Sequence, residues 1–251
     1  MPPSVPTVHA VAPQTRAEAP ESVAEGGGWA TLAGAQDADT CALWLDVADW
    51  SPWRRRATAL LDAAERARVE RMRRPADREM LTIAYAAHRL LLASCLGRAP
   101  EAVPLTRDAR GCPRVPGTAW HTSLSHADGA VAIAASRVGP VGIDLETRAR
   151  AGLMPELAER ICSPAELRRY AAMGPEALLA LWVRKEAVLK ACGWGLGVEM
   201  SGIEVPDGAS CVLPRDGRRV HVAMLPVGAA HVAALASPGP DGIRHVPWWR
   251  P

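Results

Sequence analysis

Two stretches of this chain, offset by about one hundred residues, carry the same local patterns in the same order, and this constrains the fold more than any other feature. Leu45-Asp46-Val47 is answered by Ile143-Asp144-Leu145. A helical run holding Arg89 and ending at Gly97 is answered by one holding Lys185 and ending at Gly193. Val131-Ala132-Ile133-Ala134-Ala135-Ser136 is answered by Val232-Ala233-Ala234-Leu235-Ala236-Ser237. A nearly constant offset is the mark of internal duplication, so the expected fold is α+β with two similar lobes related by a pseudo-twofold. The cleft between such lobes is where a ligand is expected. The expected boundaries are a disordered leader over 1–28, an N-terminal lobe over 29–138, a C-terminal lobe over 139–237 that carries the chemistry, and a loosely packed tail over 238–251.

Local patterns fill in the elements. Ala42 to Val47 reads as a first strand, and order is expected to begin near Trp29. Leu60 to Arg74 reads as an arginine-heavy helix, with Arg66, Arg68, Arg71, Arg73 and Arg74, broken by Pro75. A second helix is expected over about Asp77 to Leu96, with Leu81, Tyr85, Leu92 and Leu96 at helical spacing and Gly97 as its stop. Thr122 to His126 leads into the strand Val131–Ser136, and Gly139-Pro140 is the seam between the halves.

With 251 residues, 49% of them hydrophobic, the chain can bury a large core. A formal charge of +2 is too mild for a general nucleic-acid binder. No segment has the apolar length of a signal peptide core or a membrane span. The six cysteines lack Cys-x-x-Cys or Cys/His metal spacing, so reduced thiols in a cytoplasm are expected. The protein is expected to be a monomer.

The chemistry concentrates in two segments about forty residues apart, Val141-Gly142-Ile143-Asp144-Leu145-Glu146 and Trp182-Val183-Arg184-Lys185-Glu186-Ala187-Val188-Leu189-Lys190. The first alternates with period two and reads as a half-buried strand, so Asp144 and Glu146 leave one face. In the second, Glu186 and Lys190 lie four apart on a helix and share its face. Carboxylates gathered without histidines or thiols suit a hard cation such as Mg²⁺, and neighbouring lysines suit phosphate. Together they describe a metal-assisted phosphoryl-transfer site. Taken singly, an acidic strand is more often a surface edge, and an i,i+4 Glu–Lys pair more often a solvated ion pair.

These two segments, with Ser123-Leu124-Ser125-His126, resemble the signature motifs of the 4′-phosphopantetheinyl transferases. The likeness is to the larger, two-lobed, surfactin-synthetase-activating class and spans about residues 40 to 237. The resemblance implies a reaction: the phosphopantetheine arm of coenzyme A passes to a serine of an acyl or peptidyl carrier protein, leaving adenosine 3′,5′-bisphosphate. It implies Mg²⁺ on Asp144, Glu146 and Glu186, and Glu186 as the base for the serine hydroxyl, directly or through a metal-bound water. It further implies Lys185 and Lys190 on the phosphates and His126 on the pyrophosphate with Ser125 beside it. Arg68 falls at the nucleotide 3′-phosphate, and Arg107 and Arg110 in the loop around the adenine end. The class tends to serve secondary metabolism.

Two positions depart from the family pattern: Cys112 stands where the loop usually has Lys or Arg, with Arg110 or Arg114 as substitutes, and Trp194 stands between Gly193 and Gly195. Two other readings fit the same residues. One is another Mg²⁺-dependent phosphoryl or nucleotidyl transferase. The other is a non-catalytic module that binds coenzyme A or a carrier domain.

Overall fold

A computed structural model of the chain describes residues 35–108, 111–170, 174–193, 199–206, 208–213 and 216–246. The expected leader, Arg110, Trp194 and the last residues of the chain lie outside them. In order, the elements are β1 (Thr40–Asp46), α1 (Val47–Trp50), α2 (Arg54–Leu60), α3 (Ala63–Glu70), α4 (Pro75–Leu96), β2 (Thr106–Arg107), β3 (Pro113–Arg114), β4 (His121–Ala127), β5 (Ala130–Ser136) and β6 (Gly142–Thr147). They continue with α5 (Met154–Ile161), α6 (Pro164–Tyr170), α7 (Pro175–Cys192), β7 (Ala209–Val212), β8 (Arg219–Leu225), β9 (His231–Ser237) and β10 (Ile243–Val246). The fold is mixed α+β.

One four-stranded sheet runs β10-β1-β5-β4 and a second runs β6-β9-β8-β7. Period-two alternation gives each central strand two buried faces. On β1 and β5, Cys41, Leu43, Leu45, Val131, Ile133 and Ala135 pack with α4. Their neighbours Ala42, Ala130, Ala132 and Ala134 pack instead on Val141, on Ile143 and Leu145 of β6, and on Ala233 and Leu235 of β9. The opposite face of β9, with Val232, Ala234 and Ala236, packs on α7. The result is helix, sheet, sheet, helix, and the alanines between the sheets let them approach closely.

The edge strands β4 and β6 meet across this inner layer. The Ile143 amide donates to Ser123 Oγ at 3.1 Å. Two residues on, Ser125 Oγ donates to Asp144 Oδ1 at 2.8 Å. The alternate serines of Ser-Leu-Ser-His thus join the two sheets.

Three local expectations change. The arginine-rich stretch Leu60–Arg74 is helical only over Ala63–Glu70, because Asp62 and Glu65 form a reciprocal capping box that starts α3 after α2 has ended at Leu60. Pro75 opens α4 rather than only ending what precedes it, since a proline amide is dispensable in the first turn. The tail is ordered at Ile243–Val246, which pairs parallel with Thr40–Leu43 and returns the end of the chain to the first sheet. Gly97 and Gly193 end α4 and α7 in the left-handed region, φ 61° and 65°, as glycine permits.

A buried ion pair lies under each long helix. On α4, Arg89 Nε donates to Glu65 Oε2 at 2.7 Å, its Nη2 bonds Asp62, and its Nη1 donates to the Val103 carbonyl at 3.4 Å. On α7, Lys185 Nζ donates to Glu166 Oε2 at 2.5 Å and to the carbonyls of Ile161 and Met200 at 2.7 and 2.8 Å. Glu166 also accepts the Ser163 amide at 2.9 Å while Ser163 Oγ accepts the Glu166 amide at 3.2 Å, the same reciprocal cap seen at Asp62 and Glu65.

Candidate active site

The strand β6 presents Gly142, Asp144 and Glu146 on the face turned to α7. That face is not open to solvent as a half-buried strand would have it: Gly142 and Asp144 are buried, and Glu146 is partly so. Gly142 makes the approach possible. A Cβ there would stand 1.9 Å from the Ala187 carbonyl oxygen and 2.5 Å from the Ala191 amide. Gly142→Ala must therefore push β6 from α7, and its expected cost is about 3 kcal/mol, the upper end of the overpacking range. Urea unfolding measures that loss, and a variant as stable as wild type would refute the close approach.

With β6 against α7, Lys190 Nζ donates to Asp144 Oδ1 at 2.6 Å and to Ser125 Oγ at 2.9 Å. One residue from each of three elements thus shares a closed triangle of hydrogen bonds. Glu186 stands one helical turn before Lys190. Desolvation raises its carboxyl above the ordinary glutamate value, the charge of Asp144 adds to the rise, and Lys190 and Arg150 oppose it. Glu146 Oε2 is held by the Arg150 guanidinium, and its Oε1 accepts the Thr147 amide at 3.0 Å.

Beside the triangle opens a cavity of about 330 Å³ lined by Arg68, Tyr85, Arg107, Leu124, Ser125, His126 and Lys190, among others. Its chemistry is cationic. Arg107 stacks on the Tyr85 ring at 4.3 Å, and its Nε and Nη2 are buried with no hydrogen-bond partner among the described residues. Desolvation pushes the Arg107 guanidinium below its ordinary value. Buried donors without acceptors are a cost that an anionic ligand removes. The Arg68 guanidinium lies against Gly111, where a Cβ would meet Nη2 at 3.0 Å, and Gly111 takes φ 82°. Partial desolvation and the nearby Lys190 and Arg107 hold the His126 imidazole below its ordinary value, so it is neutral at neutral pH. A neutral ring still donates one N–H to a phosphate oxygen.

The structure therefore gathers Arg68, Arg107, Ser125, His126 and Lys190 around the cavity, with Asp144 joined to them through Lys190. It removes Lys185 from that set. Lys185 is fully buried on the opposite side of α7, with three oxygen acceptors around its ammonium, and cannot reach a phosphate. Its place is a consequence of helical geometry, since adjacent residues on a helix point about 100° apart. Arg114, offered as a substitute cation, donates to Asp108 Oδ2 at 3.0 Å. Cys112 is half-buried in the same loop, and its amide donates to Asp108 Oδ1 at 3.0 Å.

Against a hard cation, the donor chemistry of Asp144, Glu146 and Glu186 fits: all are carboxylates, and the mutual repulsion of Asp144 and Glu186 is what a cation would relieve. The cage is not preassembled, however. Among the described residues no three acidic, histidine or cysteine side chains stand together as a ready metal group. Lys190 and Arg150 hold Asp144 and Glu146 instead.

Residues 140–226 match the family model of the 4′-phosphopantetheinyl transferase superfamily. The matched span contains Asp144, Glu146, Glu186 and Lys190, the acids and the lysine whose geometry is described above. A Synechocystis sp. protein provisionally named as a 4′-phosphopantetheinyl transferase is 31% identical to the chain over 157 residues. That alignment covers 59% of this chain and 63% of the relative, so the chain spans less than two thirds of the length of the curated protein it matches. No described helix is long and apolar enough to cross a membrane.

Sequence reasoning missed four residues that shape this site. Ser123 and Gly142 stand inside the motifs with no charge or proton to mark a role, and Tyr85 shows along the chain only as an apolar position at helical spacing. Arg150 carried no signal except its place four residues after Glu146, the spacing of a local ion pair.

Proposed function

We propose that this protein transfers the 4′-phosphopantetheine arm of coenzyme A to a serine of an apo carrier protein. The observation that carries the reading is the junction of a cationic cavity with the Asp144–Lys190–Ser125 triangle, beside Glu186; Asp144, Glu186 and Lys190 lie inside the span that resembles this superfamily. The cavity suits the phosphates of coenzyme A. Arg107 and Arg68 offer planar forks to its phosphate and nucleotide end, and His126 and Lys190 face the pyrophosphate. A divalent cation, proposed as Mg²⁺, would be held by Asp144, Glu186 and Glu146 and would supply charge neutralisation at the pyrophosphate.

Glu186 takes the proton of the carrier serine hydroxyl as that oxygen bonds to the phosphorus bearing the pantetheine arm. The bond from that phosphorus to the bridging pyrophosphate oxygen breaks, and adenosine 3′,5′-bisphosphate leaves with the electron pair. Lys190 neutralises the leaving phosphate, and Asp144 and Ser125 hold its ammonium in place. Asp144 and Ser125 need not touch the substrate to do so.

The two-lobed class and an origin by duplication belong to the same proposal. Their support is the repeated sheet order, β1-β5-β4 against β6-β9-β8, and the repeated capped acid under a helix cation, Asp62 and Glu65 with Arg89 against Ser163 and Glu166 with Lys185. An active site between two such lobes would draw its cavity walls from the first and its acids from the second.

The test is intact-protein mass spectrometry of apo carrier domains incubated with this protein, coenzyme A and Mg²⁺, with and without chelator. The expected result is a metal-dependent gain of about 340 Da, the mass of the transferred arm in this phosphoryl-transfer chemistry. No gain on acyl or peptidyl carriers, despite coenzyme A binding, would overturn the assignment.

A further inference from the structure

The Glu146 carboxylate is satisfied without a metal, and Arg150 is the reason. After β6 the chain enters a short 3-10 turn over Arg148–Leu153, started by Thr147, whose Oγ1 accepts the Ala149 amide at 3.4 Å. This turn folds residue 150 back over residue 146. The Arg150 guanidinium donates to Glu146 Oε2 and also lies over the Trp182 ring, 5.7 Å from its centroid. Trp182 is on α7, one turn before Glu186, so Arg150 bridges from the acidic strand to the acidic helix. Its charge is felt at Glu186, where it opposes the rise caused by burial and Asp144.

The charges explain why a cation belongs there. Asp144 and Glu186 repel one another, Lys190 and Arg150 oppose that repulsion at Glu186, and Arg150 also holds Glu146. Lys190 answers Asp144, and Arg150 stands between Glu146 and the field of Glu186. A charge-assisted bond to one carboxylate oxygen, with the amide of Thr147 on the other, orients Glu146 toward Arg150 and puts a positive charge where a cation would compete. Trp182 gives the released guanidinium a second resting place, because a cation over an indole face is favoured without a carboxylate. Arg150 is 41% exposed, so its hold on Glu146 is screened and reversible rather than permanent.

We propose that Arg150 is an internal counter-ion that occupies Glu146 and sets the affinity of the site for a divalent cation, which must displace it. The inference rests on the carboxylate metal set proposed above. A binding-competent state that is only partly populated lowers apparent affinity by the fraction populated, so removing Arg150 removes that penalty.

The test is Mn²⁺ titration of the full chain at fixed ionic strength, read by isothermal calorimetry and by the electron paramagnetic resonance of free Mn²⁺. Arg150→Gln should bind Mn²⁺ about fivefold or more tightly than wild type, as expected when a competing state is removed. Arg150→Lys keeps the charge but not the planar fork, should fall between them, and carries the test if the glutamine variant does not fold. Arg148→Gln is the control, since that guanidinium donates to Glu176 at 2.8 Å and only changes net charge. Equal affinity in wild type and Arg150→Gln, or an equal gain in Arg148→Gln, overturns the counter-ion role while leaving the metal reading in place. Failure of every variant and of wild type to bind Mn²⁺ overturns both.

Discussion

Glu186→Gln should lower the transfer rate at saturating coenzyme A and Mg²⁺ by about a hundred- to ten-thousandfold, the usual contribution of a positioned proton acceptor. The substitution keeps the shape of the side chain and removes its proton affinity. It also removes a negative charge that Asp144 repels, so the variant should unfold no more easily than wild type. Single-turnover transfer to an apo carrier, beside equilibrium binding of coenzyme A, separates rate from affinity. A variant that binds coenzyme A poorly but transfers at the wild-type rate when saturated would make Glu186 a binding residue and move the base elsewhere. Full transfer by the variant would favour a site that holds coenzyme A and uses another proton acceptor.

Lys185→Met should act in the opposite way, destabilising the protein by about 3 to 5 kcal/mol, the cost of leaving one partner of a buried ion pair behind. Burial pushes the Lys185 ammonium below the ordinary lysine value, and Glu166 opposes that shift. Loss of the ammonium strands the Ile161 and Met200 carbonyls and leaves the Glu166 carboxylate with the amides of Ser163 and Val205, at 2.9 and 3.1 Å. Urea denaturation should show a lower midpoint, and folded protein at low temperature should still bind coenzyme A normally. A variant that keeps its stability but loses coenzyme A affinity would restore Lys185 to the phosphates. The two lysines of one motif, already separated by geometry, would be separated by this measurement as well.

Much of the fold was legible along the chain because the signals were periodic. Alternation in β1, β5, β6 and β9 and the glycine stops of α4 and α7 depend on neighbours a few residues apart, which the linear sequence displays. The break between α2 and α3 was legible too in principle, since Asp62-Ala63-Ala64-Glu65 carries the pattern of a capping box before a helix. Its counterpart Ser163-Pro164-Ala165-Glu166 carries the same pattern. Read together, those two boxes would have pointed to Arg89 and Lys185 as structural cations. The strand at Ile243–Val246 was harder, because a short edge strand paired with the beginning of the chain has too few residues to show a period.

What the sequence determined by itself was the alphabet of the candidate site: carboxylates at 144, 146 and 186, cations at 68, 107 and 190, an imidazole at 126, and their assignment to a strand, a helix and loops. Periodicity and residue chemistry are local properties, so they survive without coordinates. Only the tertiary structure decided which of these groups meet. The close approach at Gly142 brings Asp144 to Lys190, the serines of β4 fasten one sheet to the other, and Arg150 folds back onto Glu146. Tertiary packing likewise sent Lys185 inward while Lys190 faced the cavity. The physical reason is that a side chain's partner is set by which surfaces pack together, and that is decided by burial over the whole chain rather than by spacing along it.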